Sequence, residues 1–134
     1  MSDEKNPFLL IARINVKPDC VEKYLNIAEE VDKRTEEEES GMIMHNFDSD
    51  PNNPLAFTWS EIYQNSDALV VHFNAPYALE YVGKHQELAE SFDLEIYGNL
   101  SSDAIAGVEA LGLPCKHFKT TRVGFCRSEK FSAR

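Results

Sequence analysis

Apolar residues recur at every second position over residues 8–16, then at every third or fourth over residues 21–31. The same change of period returns further along the chain. In FLLIARINV, residues 8–16, the side chains of Phe8, Leu10, Ala12, Ile14 and Val16 fall on one face of a strand, because successive residues point to opposite sides. Pro18 stops that strand. Asp19 with Glu22 three residues on has the spacing of a capping box and predicts a helix start. Val21, Tyr24, Leu25, Ala28 and Val31 then form an apolar helical stripe, and the helix is expected to run to about residue 38. The acidic run 36–39 reads as its frayed, solvated end rather than a metal cluster, since negative charge at a helix C-terminus opposes the macrodipole. Gly41 ends the helix.

MIMHNFDSD (42–50) and LAFTWSEIYQ (55–64) read as two strands joined by the turn PNNP, an antiparallel hairpin. Ser66 opens a short helix containing Ala68, Leu69, Val71 and His72. Pro76 suits the first turn of a second helical piece that carries Ala78, Tyr81, Val82, His85, Leu88 and Ala89 on one face. DLEIYGNL (93–100) reads as a fourth strand. The order β-α-β-β-α-β is the ferredoxin-like arrangement of the α+β class. Two helices on one face leave the other face of the sheet bare, and a second copy of the chain is its simplest cover, so a homodimer is expected. Residues 1–100 form this domain. Residues 101–134 form a C-terminal extension expected to pack on the core or on the partner subunit. In it Ser102 caps a helix with Ala104, Ile105, Val108 and Leu111, Gly112 ends that helix, and residues 116–125 form a strand that could cross to the partner's sheet. The closing SEKFSAR reads as disordered.

The 134 residues suffice for one domain with a real core. The formal net charge of -10 argues against a nucleic-acid partner, which needs basic patches. The charge is uneven: residues 115–134 carry 6 Lys/Arg against Glu129 alone, so a basic tail follows an acidic body. No apolar stretch approaches a membrane span, and the polar, acidic opening lacks a secretory signal. A cytoplasmic location is expected, with a trimmed organelle-targeting segment left open. Cys20, Cys115 and Cys126 are odd in number and outside any zinc-type spacing, so reduced thiols and no metal are expected.

The opening FLLIARINVKPDCVEKYL resembles the first strand and helix of antibiotic biosynthesis monooxygenase domains, including their V-K-P turn. FTWSEIYQNSDALVVHFNAPY resembles the segment in which a strand of that family ends in Glu-x-aromatic, Ser and Ala open a helix, and a His follows. Here these are Glu61, Tyr63, Ser66, Ala68 and His72. The resemblance covers roughly residues 7–100, and the tail ending in GFCR is similar to an extension on some members. It implies a dimeric α+β barrel joined through the sheets, with a pocket between sheet and helices in each subunit. Activities in the family vary: oxidation of quinols or polycyclic aromatics by O₂ without metal or flavin, rearrangement of small signalling molecules, or binding and cleavage of haem. A shared fold does not choose among them.

Glu61 shares a strand face with Phe57, Trp59 and Tyr63. Three aromatics and a carboxylate suit a pocket wall for a flat, apolar ligand, with Glu61 as its polar anchor. A packed aromatic face with Glu61 at the rim is the competing reading. His72, one turn into the next helix, matches the family's pocket histidine. Paired with Glu61 it could take a proton from a phenol or quinol, and Tyr63 could bond the substrate oxygen. A half-buried histidine bonded to backbone is the plainer alternative. His85 reads as a core residue, His45 and His117 have no visible partner, and Arg13 reads as a surface salt bridge. The haem-cleaving branch places Asn, Trp and an axial His at positions that fall here on Ala12, Tyr63 and about Val82, which disfavours haem. There is no nucleophile motif, phosphate loop or dinucleotide fingerprint. The leading expectation is a cofactor-independent monooxygenase or isomerase acting on a small cyclic enol, phenol or quinol. The alternative is a non-catalytic, stress-related dimeric module that binds a small aromatic molecule.

Overall fold

In the computed structural model residues 6–127 are described. The elements are β1 (Phe8–Val16), α1 (Val21–Glu38), β2 (Met42–Ser49), β3 (Ala56–Tyr63), α2 (Ser66–Asn74), α3 (Pro76–Leu88), β4 (Ala89–Tyr97), α4 (Ser102–Ala110) and β5 (Cys115–Phe118). The five strands make one sheet in the order β2-β3-β1-β4-β5. The first four pair antiparallel, and β5 runs parallel to β4. This is the expected α+β, ferredoxin-like order with an added helix and strand. No helix among the described residues is long and apolar enough to cross a membrane.

Register puts the apolar face together. Leu10 lies opposite both Glu61 and Ile96, and Ala12 opposite both Trp59 and Leu94. Along β3, Phe57, Trp59, Glu61 and Tyr63 are all buried, as the period of two requires. α1 contributes Tyr24, Ala28, Val31 and Thr35 to this core. Burial of each large apolar side chain here stabilises the fold by about 1.5–3 kcal/mol. The opposite face carries Leu9, Ile11, Arg13 and Asn15 of β1, all half-buried or exposed. There Arg13 pairs with Glu95 at 2.9 Å.

Several boundaries differ from the sequence reading. Asp19 does not cap α1: it sits at φ 71, in the left-handed region that Asp tolerates, where it turns the chain after Pro18. Cys20 is the N-cap, without a side-chain bond. α2 and α4 are capped by Asn65 and Ser101, whose side chains accept the N–H of Ala68 and Ala104, so Ser66 and Ser102 are already helical. Gly41, after α1, lies where an added Cβ would meet the Ala68 Cβ at 2.8 Å, so the close approach of α2 needs glycine. β4 begins at Ala89 rather than 93, because α3 passes directly into it and Val16 pairs with Ala89. The fifth strand covers only Cys115–Phe118 and pairs with β4 of its own chain. SEKFSAR lies outside the described residues.

One hydrogen-bonded file runs through the core. Trp59 Nε1–H donates to the Tyr81 hydroxyl at 2.8 Å, Tyr81 meets Tyr24, and the Tyr24 hydroxyl lies 2.6 Å from His85 Nδ1. Every hydroxyl hydrogen finds an acceptor when Tyr81 donates to Tyr24 and Tyr24 donates to His85. That assignment requires a neutral His85 ring. Burial pushes the His85 pKa down to about 4. The folded pKa therefore lies below the unfolded value of about 6.5. The neutral ring's contribution is intact above pH 6.5 and is lost as pH falls toward 4, because the unfolded chain takes up the proton first. Urea midpoints should drop over that interval in the wild type. The portion due to this group should vanish in His85→Gln; an identical profile in that variant would assign the drop to other groups.

Candidate functional site

Between the sheet and the helices lies a cavity of about 40 Å³ whose walls include His45, Trp59, Glu61, His72, Phe73 and Leu113. It is smaller than the cavity of about 150 Å³ that holds a benzene ring. A cyclic ligand therefore enters only with movement at the rim, where Leu79 is half exposed and Leu111 and Leu113 come from the segment after α4.

The cavity is apolar except at one end. There β3 presents Glu61, β2 presents His45 directly across the hairpin from it, and the last turn of α2 presents His72. His72 is 7 % exposed, and its Nδ1 lies 2.9 Å from a carboxylate oxygen of Glu39. The pairing is thus with Glu39 and not, as expected from sequence, with Glu61. Glu39 is the C-cap residue of α1 and is only 6 % exposed, so the acidic run 36–39 is not uniformly a solvated end: its last member turns inward. The Tyr77 hydroxyl donates to the same carboxylate at 2.5 Å. Burial by itself would lower the His72 pKa. The Glu39 hydrogen bond and the charges of Glu61 and Glu39 outweigh it and leave the imidazole above its ordinary value.

Glu61 is buried and accepts the Tyr63 hydroxyl at 2.5 Å. Burial, then the Glu61 charge, hold the Tyr63 phenol well above its ordinary pKa. Tyr63 stacks on Phe8 at 5.1 Å and is not among the cavity walls, and Phe57 stacks on Phe47 at 5.1 Å, also away from it. Of the five residues singled out from sequence, Trp59, Glu61 and His72 reach the cavity, while Phe57 and Tyr63 stand behind it. Tyr63 supports Glu61 from behind.

His45 is the residue the sequence did not single out. Its Nδ1 lies 2.9 Å from Asp32 of α1, its Nε2 lies 3.6 Å from Glu61, and its ring stacks on Trp59 at 4.2 Å. Only the alternation along β2 could have placed it on the inner face, and the mixed residue types of that strand hide the pattern.

Residues 7–84 match the family model described as antibiotic biosynthesis monooxygenase. An uncharacterized protein of Synechocystis sp. is 30% identical over 93 residues; the match covers 69% of this chain and 63% of that protein, so the chain spans less than two thirds of that relative. Among solved structures, a conserved protein of Bacteroides thetaiotaomicron, of unknown function and described as a candidate oxidoreductase, superposes with a TM-score of 0.65 at 27% identity, covering 69% of this chain and 97% of that one. A candidate antibiotic biosynthesis monooxygenase of Caulobacter crescentus gives 0.67 at 15% identity, over 70% of this chain and 90% of its own, a likeness of fold.

Proposed function

Since the chain belongs to the antibiotic biosynthesis monooxygenase family, we propose that it oxidises a small cyclic enol, phenol or quinol with O₂ in this cavity, using its own side chains to ionise the substrate. The observation that carries the reading is the His72–Glu39 pair buried at the polar end of an otherwise apolar cavity. With Nδ1–H donated to Glu39, the ring has a fixed tautomer, and Nε2 is the nitrogen left to accept a proton. The apolar walls orient a flat ring and exclude water.

The substrate hydroxyl gives its proton to His72 Nε2, and electron density moves to a ring carbon. That carbon reduces O₂ and a carbon–oxygen bond forms. Breaking the peroxide O–O bond with loss of water leaves a carbonyl at the ring carbon that had carried a single hydrogen. His72 returns its proton to the peroxide, and Glu61, held by Tyr63, takes the hydrogen of the same carbon as a proton and passes it to the departing oxygen, which leaves as water. The bare sheet face with Leu9 and Ile11 is, in this reading, where a second copy docks to form the dimeric α+β barrel, with residues 101–134 an extension of a domain spanning 1–100.

The test is O₂ uptake by chelator-dialysed protein against a panel of quinols, polyphenols and cyclic 1,3-diketones, with His72→Ala beside it. Uptake should require no added cofactor and should fall by about 10²–10⁴-fold in the variant. Turnover that persists in His72→Ala sinks the assignment of the base. Absence of uptake on every compound favours the binding module instead.

A further inference from the structure

We propose that His45, Glu61 and His72 form a binding site for one divalent transition-metal cation at the polar end of the cavity, open on the side that faces the apolar walls. The proposal goes beyond the preceding reading, and its own test does not depend on turnover.

The ligand atoms these three residues offer all lie within 4.8 Å of one another. They come from β2, β3 and α2, so no spacing in the sequence reveals them. Each imidazole has its Nδ1 against a carboxylate, Asp32 for His45 and Glu39 for His72, both at 2.9 Å. Such carboxylate–histidine pairs are the outer shell that fixes the tautomer of a metal-ligating histidine and turns Nε2 toward the ion. With both rings neutral, the His45 Nε2 lone pair faces the Glu61 carboxylate at 3.6 Å, His72 brings a second nitrogen to the same cluster, and Tyr63 donates to Glu61 from behind. Acceptors facing acceptors in a buried space need something positive among them.

The charge balance points the same way. Asp32, Glu39 and Glu61 gather around the two rings, and among the described residues no lysine or arginine pairs with any of the three. Two imidazole nitrogens and one carboxylate are a ligand set for Zn²⁺ and for non-haem Fe²⁺ that leaves coordination positions free. Contraction of the cluster to about 2.0–2.2 Å per bond closes the site. Protonated imidazoles could supply the same positive charge, and the measurement separates the two. A cation on His72 Nε2 occupies the lone pair a base would use, so the pole serves as one or the other at a given moment.

The experiment titrates Zn²⁺, by calorimetry, and Co²⁺, by visible absorption, into the untagged, chelator-dialysed full chain. His45→Ala, Glu61→Gln and Asp32→Asn are measured in parallel, with circular dichroism to check the fold. The expected result is one ion per chain with nitrogen/oxygen ligand-field bands, weakened about tenfold or more in each variant. Asp32 has a 44% exposed side chain, so its substitution spares the core, and it decides the matter if either other variant fails to fold. No saturable binding, an affinity that the folded variants leave unchanged, or a thiolate charge-transfer band from Cys20, Cys115 or Cys126 overturns the proposal. Failure here leaves O₂ uptake by the chelated protein standing, and cation binding without O₂ uptake leaves the site standing without the oxygenase.

Discussion

Replacing Glu39 with alanine is expected to destabilise the chain by about 3–5 kcal/mol, the usual cost of removing one partner from a buried ion pair. The same change should lower O₂ uptake by about 10²-fold or more, because the ring that takes the proton loses its orienting acceptor. Two donors converge on this carboxylate, His72 Nδ1–H and the Tyr77 hydroxyl. Glu38, one residue earlier, is exposed and pairs only with Arg34 on the helix surface, so Glu38→Ala is the matched control and should alter neither property measurably. Urea unfolding followed by circular dichroism, with oxygen-electrode rates on the same preparations, gives both numbers. Equal behaviour of the two variants would mean that Glu39 is solvated in solution.

Trp59→Ala should be as damaging to the fold, at about 3–5 kcal/mol. The indole is 2 % exposed and is held on several sides. His45 stacks on it at 4.2 Å, Phe47 lies at 4.5 Å, and its N–H donates to Tyr81. Alanine opens a void between the polar end of the cavity and the tyrosine file, and it releases both His45 and Tyr81 from a fixed neighbour. Trp59→Phe restores most of the volume but not the donor, so it should recover most of the stability while leaving Tyr81 with one bond fewer. A loss below about 1 kcal/mol in the alanine variant would show that the surrounding aromatics collapse into the gap.

The order of elements was legible because the apolar period switches between two and three-to-four in most segments, β2 being the exception, and because Pro18, Pro76 and Gly112 punctuate it. Local pattern misled where one residue type serves two purposes. Asp19 looks like a cap and acts as a left-handed turn. Glu39 looks like the last of a solvated run and is a buried acceptor, a role set by Tyr77 and His72 more than thirty residues away. The strand face bearing Trp59 and Glu61 could be read from alternation alone, but alternation does not say how far along the strand a cavity extends. Hence Phe57 and Tyr63, on the same face, stand outside it. His45 became visible only through the β2–β3 register, which sets it across from Glu61.

The cavity's polar end and its rim are drawn from different stretches of chain. His45, Glu61 and His72 belong to the stretch that matches the family, whereas Leu111 and Leu113 come from the segment that links α4 to β5. A change in that linker can resize what the cavity admits while His45, Glu61 and His72 stay where β2, β3 and α2 put them. Exchange of this short segment between homologous chains is accordingly a route to new selectivity: the graft would carry a preference for molecular size and leave the polar end of the cavity in place.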